Sequence, residues 1–310
     1  MKLALILVTI AILSALLVEW FLRARYGFGN PPLYQADDKI GYLLAPNQAT
    51  RRFGNNIAIN RYSMRSPEFD TDRPDNTDRL FLIGDSVVNG NWWTDQTQTV
   101  SELLRQQLQA QSPKTIEVLN ASANSWGPRN ELAYLQRHGL FNAQFLILVI
   151  NTDDLFATTP TPLGVGKDKN YPDRKPPLAL IEAIDRLLPQ SPLPAELLAI
   201  QSEGGDRVGQ NLSAIQTIQG LAQAAQAKFL VILTPLLRET ESTGKRDYEI
   251  AARQRLQEQM NGLHIDYIDA LSIFKASENP KELYRDHIHL STQGNHLLSK
   301  QIDQWYRSNQ

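Results

Sequence analysis

From Arg79 onward, short apolar runs alternate with stretches of helical spacing, and this alternation restricts the fold more than any other feature. Residues 80–83 and 145–150 are almost purely apolar, the pattern of strands covered on both faces in a parallel sheet. Residues 115–119, 229–233 and 265–268 supply three more strand candidates. Between them, residues 99–110 repeat Val100, Leu103, Leu104 and Leu108 at helical intervals. Residues 131–140, 214–227, 247–260 and 293–306 read as further helices. Strands separated by helices predict a doubly wound, five-stranded parallel sheet, a three-layer α/β/α architecture.

The chain ahead of that pattern divides in two. Lys2 precedes an uncharged apolar run over residues 3–18, then Glu19, Trp20, Phe21, Leu22 and the basic pair Arg23 and Arg25. This is long enough to span a bilayer, with Trp20 as an interface anchor. A cleavable signal peptide is the competing reading. No small-x-small cleavage signal follows the run, so residues 1–26 are expected to stay as a transmembrane anchor. Lys2 and the pair Arg23 and Arg25 give opposing orientation signals. Residues 27–78 are rich in Pro, Asn, Asp and Arg and read as a small, irregular, β-containing leader, with residues 71–78 as a polar linker. The main domain is expected over 79–310, interrupted by a proline-rich insertion at 156–207 with one amphipathic helix near residues 178–188. As it leaves the third strand, the insertion fits a lid over a site; a linker or a membrane-contacting flap has the same pattern.

Net charge is −2, and basic groups such as Arg51-Arg52 are small, which argues against a nucleic-acid partner. The absence of cysteine excludes disulfides and Cys-zinc sites. Gly164-Val165-Gly166-Lys167 lacks the Ser/Thr and the upstream glycine of a phosphate loop.

The first apolar run ends in Gly84-Asp85-Ser86, which puts a serine at the C-terminal rim of the sheet, where open α/β sheets bind ligands. Taken alone, the tripeptide is also an ordinary turn sequence. A serine hydroxyl becomes a nucleophile only beside a base that is itself oriented. Among His138, His264, His287, His289 and His296, the stretch Asp286-His287-Ile288-His289 offers an acid next to an imidazole, after the last strand. Two plainer readings of it are a polar helix start capped by Ser291 and a His-x-His metal pair with Asp286.

The pairing of Gly84-Asp85-Ser86 with Asp286-His287-Ile288-His289-Leu290-Ser291 resembles the GDSL/SGNH hydrolase superfamily over residues 79–306. Gly41-Tyr42-Leu43-Leu44-Ala45-Pro46-Asn47 and Asn60-Arg61-Tyr62-Ser63-Met64-Arg65 resemble the leader of membrane-anchored bacterial members. The resemblance implies a flavodoxin-like SGNH fold and a serine esterase without cofactor or metal. Ser86 would be the nucleophile, His289 the general acid and base, and Asp286 its orienting partner. The oxyanion donors would be the amides of Ser86 and Ser122 and a side chain at the third motif, Asn151-Thr152-Asp153-Asp154.

That motif departs from the family pattern, because Asp153 stands where an asparagine is expected. An ionised carboxylate cannot donate to an oxyanion, and a lost donor costs about 2.7–4 kcal/mol of transition-state stabilisation. A protonated Asp153, a substitute donation from Asn151, or a slow or substrate-assisted reaction would each meet the difficulty. Capping of a following turn is the plain reading of Asp153 and Asp154. Trp92 and Trp93 are candidate groove-lining aromatics, or core. The expected substrate is an acylated small molecule, lipid or glycan of the cell envelope, met by an extracytoplasmic domain. A polysaccharide O-acetyltransferase, or a non-catalytic glycan-binding protein on a degraded hydrolase scaffold, would share these residues.

Overall fold

A computed structural model describes residues 1–190, 192–241, 244 and 246–310. Helix α1, Lys2–Phe21, is apolar on every side and exposed along its length; a π-turn, Leu22–Tyr26, extends it. Two antiparallel hairpins follow, β1 (Tyr34–Asp37) with β2 (Gly41–Leu44), and β3 (Gln48–Arg52) with β4 (Asn55–Ile59).

The main sheet is built from β5 (Thr77–Gly84), β6 (Thr115–Ser122), β7 (Phe145–Asn151), β8 (Lys228–Thr234) and β9 (Asp266–Asp269). All pairs are parallel, in the order β6-β5-β7-β8-β9. The chain steps from β5 outward to β6 and then back past β5 to β7. The rim beyond β5 and β7 is therefore the topological switch point, where a crevice opens. Alternate strand residues feed two cores. Phe81, Ile83, Leu146 and Leu148 pack with α4 (Pro128–His138), α7 (Arg207–Ala224) and α9 (Asp247–Leu263). Leu80, Leu82, Ile147 and Val149 pack with α3 (Val100–Gln109), α10 (Leu271–Lys275) and α11 (Thr292–Ser308). Short helices α2 (Ser86–Asn89) and α8 (Leu237–Thr240) sit at the rim. The 156–207 stretch carries α5 (Ala179–Leu187) and α6 (Ala195–Gln201).

Three departures from the expected pattern have physical causes. Strand β5 begins at Thr77, inside the expected linker, and Arg79 is fully buried within it. Its guanidinium is satisfied by Glu117 at 2.6 Å and by the carbonyls of Asp70, Thr71 and Phe141, partners invisible to local pattern. Helix α7 starts at Arg207 rather than at 214. Asp206 caps it through Gly209 N at 2.9 Å, and Asn211 is buried on the carbonyls of Leu155 and Ala157. Helix α6 is too short to show a period.

Helix α5 is tied to the end of α1. The Glu19 carboxylate accepts the amides of Ala179 and Leu180 at 2.8 and 2.9 Å. Glu182, on the inner side of α5, accepts Arg52 Nη2 at 2.5 Å and the Gly29 amide at 2.6 Å.

Candidate active site

Strand β5 delivers Ser86 to the rim through a close crossing of backbones. A Cβ at Gly84 would lie 2.5 Å from the Val149 carbonyl, so only glycine lets β5 and β7 meet there. Asp85 then caps α2, its Oδ1 accepting the Val87 amide at 2.8 Å, and Ser86 opens the helix. The Ser86 amide thus lies in the first turn of α2.

The second component is a tight loop closed by a bridge between Tyr284 and Leu290, with the Arg285 amide donating to the His289 carbonyl at 2.8 Å. Within it, Asp286 Oδ1 accepts the amides of Ile288 and His289 at 3.0 and 2.9 Å, and Oδ2 lies 2.8 Å from His289 Nδ1. Burial opposes the charge on Asp286, but those two amides and the imidazole outweigh it and hold the carboxyl below its ordinary pKa. His289 Nε2 reaches Ser86 Oγ at 3.0 Å. The same hydroxyl lies 3.1 Å from Asp85 Oδ2, so its single proton has two competing acceptors. An aspartate–imidazole–hydroxyl chain of this kind can draw a proton from a serine attacking a carbonyl carbon. Both ring nitrogens of His289 are engaged in this chain. Among the described residues, no cluster of three metal-ligating side chains occurs. Ser291 is also the α11 cap, accepting from Gly294 N at 3.2 Å, so the helix-start reading and the relay coexist.

The expected oxyanion donors are distributed differently. Ser122 is a correction. It ends β6 opposite Gly84, is buried with its hydroxyl on Asn120 Oδ1 at 2.5 Å and its carbonyl on Asn89 Nδ2, and does not line either arm of the cleft. Ser125 stands in the cleft instead, at φ +58°, beside Ser86 and His289. The sequence reading missed it because a positive φ at serine has no compositional mark. Counting onward from Asn120 to the turn before Gly127 was the available signal. Asn151 is a second correction. Both hydrogens of its Nδ2 are taken, by Asp85 Oδ2 and Asp154 Oδ2 at 2.9 Å each, and its Oδ1 accepts the Asp153 amide. It has no donor left for an oxyanion. Asp153 does line the cleft; desolvation, then the charge of Glu249, pushes its carboxyl pKa up. Asp154 is buried and accepts the Asn151 amide at 2.8 Å, reaching back from inside the turn 152–156 rather than capping a turn that follows it.

Beneath the rim lie three buried acids. Burial raises the pKa of Asp85, and it raises those of Asp154 and Glu131 well above the carboxylate range, with the Asp85 charge adding to both. Among the described residues, neither oxygen of Glu131 finds a hydrogen-bond partner.

The cleft has two arms that meet at Ser86, Ser125 and His289. The smaller, about 290 Å³, is lined by Trp92, Trp93, Pro31, Pro32, Lys169 and Arg186. The larger, about 570 Å³, runs past Asp153 to Phe156, Leu197 and Ile200. The Trp93 ring lies 4.4 Å from the His289 ring and Trp92 lies 5.3 Å from Trp93; both face the cleft, and Trp92 also packs on the core. Asn170 and Tyr171, from the 156–207 stretch, wall both arms.

A model of the GDSL-like lipase/acylhydrolase family matches residues 82–297. No curated protein sequence matches. Among solved structures, the lipase/acylhydrolase from Enterococcus faecalis is 12% identical, with 75% of this chain and 96% of that chain covered and a TM-score of 0.47. Axe2, an acetylxylan esterase from Geobacillus stearothermophilus, is 12% identical, covering 73% and 92%, with a TM-score of 0.48.

Proposed function

The chain belongs to the GDSL-like lipase/acylhydrolase family and is a hydrolase of ester bonds, and from that premise we propose that Ser86, His289 and Asp286 carry the reaction. Ser86 Oγ attacks the ester carbonyl carbon while its proton passes to His289 Nε2. Asp286 fixes the tautomer and offsets the charge of the imidazolium. The tetrahedral oxyanion is received by the amides of Ser86 and Ser125. His289 returns the proton to the departing alkoxide oxygen, leaving the acyl group on Ser86, and water activated by the same imidazole releases the acid. The observation that supports this reading best is the unbroken chain from Asp286 through His289 to Ser86, with spacings of 2.8 and 3.0 Å.

The substrate we propose is an acylated envelope glycan or lipid. The two-armed cleft has room on either side of Ser86 for an acyl group and for its alcohol. Helix α1, with mean hydropathy 2.5 and no buried residue, supports a membrane anchor, and the likeness of the leader to membrane-anchored bacterial members supports an extracytoplasmic domain. Labelling of the full-length chain in detergent by a fluorophosphonate, with release of p-nitrophenol from short and long esters, tests the reading. Wild type labels and turns over; Ser86→Ala does neither. Absence of labelling in wild type would favour a non-catalytic scaffold, which the Asp153 substitution otherwise supports. Release of acid without any sugar acceptor would argue against an O-acetyltransferase.

A further inference from the structure

Helix α5 is built inside out for a water-facing helix. Its inner side carries Ala179 and the buried, charged Glu182, with Arg186 bonding Glu182 at 3.0 Å. Its outer side carries Leu178, Ile181, Ile184, Leu187 and Leu188, between 39% and 86% exposed, with Asp185 at the rim of the stripe. A surface helix in water presents the reverse pattern. Apolar side chains recurring on one face and turned outward belong against an apolar medium.

Three observations make that medium a bilayer. First, α5 is joined to the apolar α1, because Glu19 near the end of α1 accepts the first amides of α5. Second, exposed arginines cluster at this junction, Arg23, Arg25 and Arg51, the last donating to the Ala24 carbonyl at 3.1 Å, which suits anionic headgroups. Third, an unbroken run of aromatic contacts leads from α1 to the site. Phe21 touches Tyr26 at 5.7 Å, Tyr26 touches Phe53 at 5.6 Å and Phe53 touches Trp92 at 4.9 Å, next to Trp93 and His289. Aromatic side chains gather where protein meets the headgroup region.

We propose that α5 lies in the headgroup region of an anionic bilayer with its outer stripe among the acyl chains, so that the smaller arm of the cleft opens at the membrane surface and takes its ester from there. This rests on the anchor and esterase readings above. Arg186, on α5 itself, and Lys169, which donates to the Leu188 carbonyl at 3.4 Å, line that arm and place positive charge at its mouth. An ester carried by a molecule with an anionic headgroup fits both the mouth and its position.

The chain has no cysteine, so one introduced residue can be labelled uniquely. Leu187→Cys, at a position 86% exposed, and the control Gln254→Cys on α9 are each made in the full-length chain. Both are labelled with a nitrobenzoxadiazole dye and reconstituted into phosphatidylcholine–phosphatidylglycerol vesicles with or without doxyl lipid. Doxyl lipid is expected to quench the label at 187 at least about threefold more than that at 254, the contrast that depth in a headgroup region gives. Equal quenching at the two sites overturns the proposal. So does a label at 187 that is shielded from water yet unquenched by lipid, because a second chain or another protein would then cover α5. Failure of the wild-type chain to float with vesicles overturns the anchor reading and this proposal with it. In a second arm, Ile184→Glu with Leu187→Glu is expected to lower hydrolysis of a vesicle-borne long-chain ester about fivefold, while p-nitrophenyl acetate is turned over at the wild-type rate. A wild-type rate on both substrates overturns the proposal. No turnover of p-nitrophenyl acetate by wild type instead overturns the esterase reading, whatever the dye reports.

Discussion

In the proposed reaction, negative charge gathers within the cleft as the ester carbonyl is attacked, and Asp153 lines the larger arm of that cleft. An ionised carboxylate repels that charge, whereas a protonated one can donate to it. Because desolvation and Glu249 raise the Asp153 pKa, the protonated form persists to higher pH than for an ordinary aspartate. Asp153→Asn is therefore expected to raise kcat by about 10- to 100-fold at pH 8. The ratio of variant to wild type should grow as pH rises through the elevated pKa and shrink toward unity below it. Parallel pH–rate profiles of the two enzymes check this, and a ratio flat with pH would refute it. Glu131 concerns stability instead. Its proton is held more tightly in the folded state than in the unfolded one. Whatever stability that gives is fully present below the unfolded pKa and is lost as pH rises through the folded one. With no partner for either oxygen, Glu131→Met is expected to stabilise by about 1–3 kcal/mol, and by more at higher pH, as read by thermal melts at pH 6 and pH 9. Single residues were unevenly legible. Ser86, Asp286 and His289 stand out in sequence because few residue types do that chemistry. Ser125 and the saturated amide of Asn151 depend on backbone angle and on buried neighbours, which no local pattern carries.

Strands were easiest to read where neither face meets water. Strand β7 is apolar from Phe145 to Ile150, and only its terminal Asn151 escaped the reading. In sequence Arg79 looks like the boundary of strand β5, whereas a guanidinium can be buried within a strand if carbonyls from distant loops accept its hydrogen bonds. The crossing of β5 and β7 at Gly84 has an energetic consequence. Gly84→Ala places a methyl 2.5 Å from the Val149 carbonyl, so the two strands must part where Ser86 is positioned. A loss of about 1–3 kcal/mol is expected, read by denaturant unfolding, with kcat falling more than KM rises because the serine moves relative to His289. Unchanged stability would show that the strands shift without strain.

At the scale of the molecule, two cores flank one sheet, and the first hairpin and parts of the 156–207 stretch wall the rim that holds the site. The five parallel strands followed from strand–helix alternation, whereas their order, β6-β5-β7-β8-β9, came from the structure. The contacts from Tyr34 and Tyr171, which touch at 5.1 Å across the cleft wall, join segments that sequence spacing treats as unrelated. The grip of Glu19 on the first amides of α5 means that the apolar segment is no detachable leash. A soluble enzyme cut at Gly27 would strip those amides of their acceptor and unfasten the segment that walls the catalytic crevice, whereas one begun just ahead of Glu19 would keep the clasp. The shorter form is expected to be less stable by about 0.5–2 kcal/mol, the usual worth of a helix cap, and to be nicked faster by protease between residues 160 and 200.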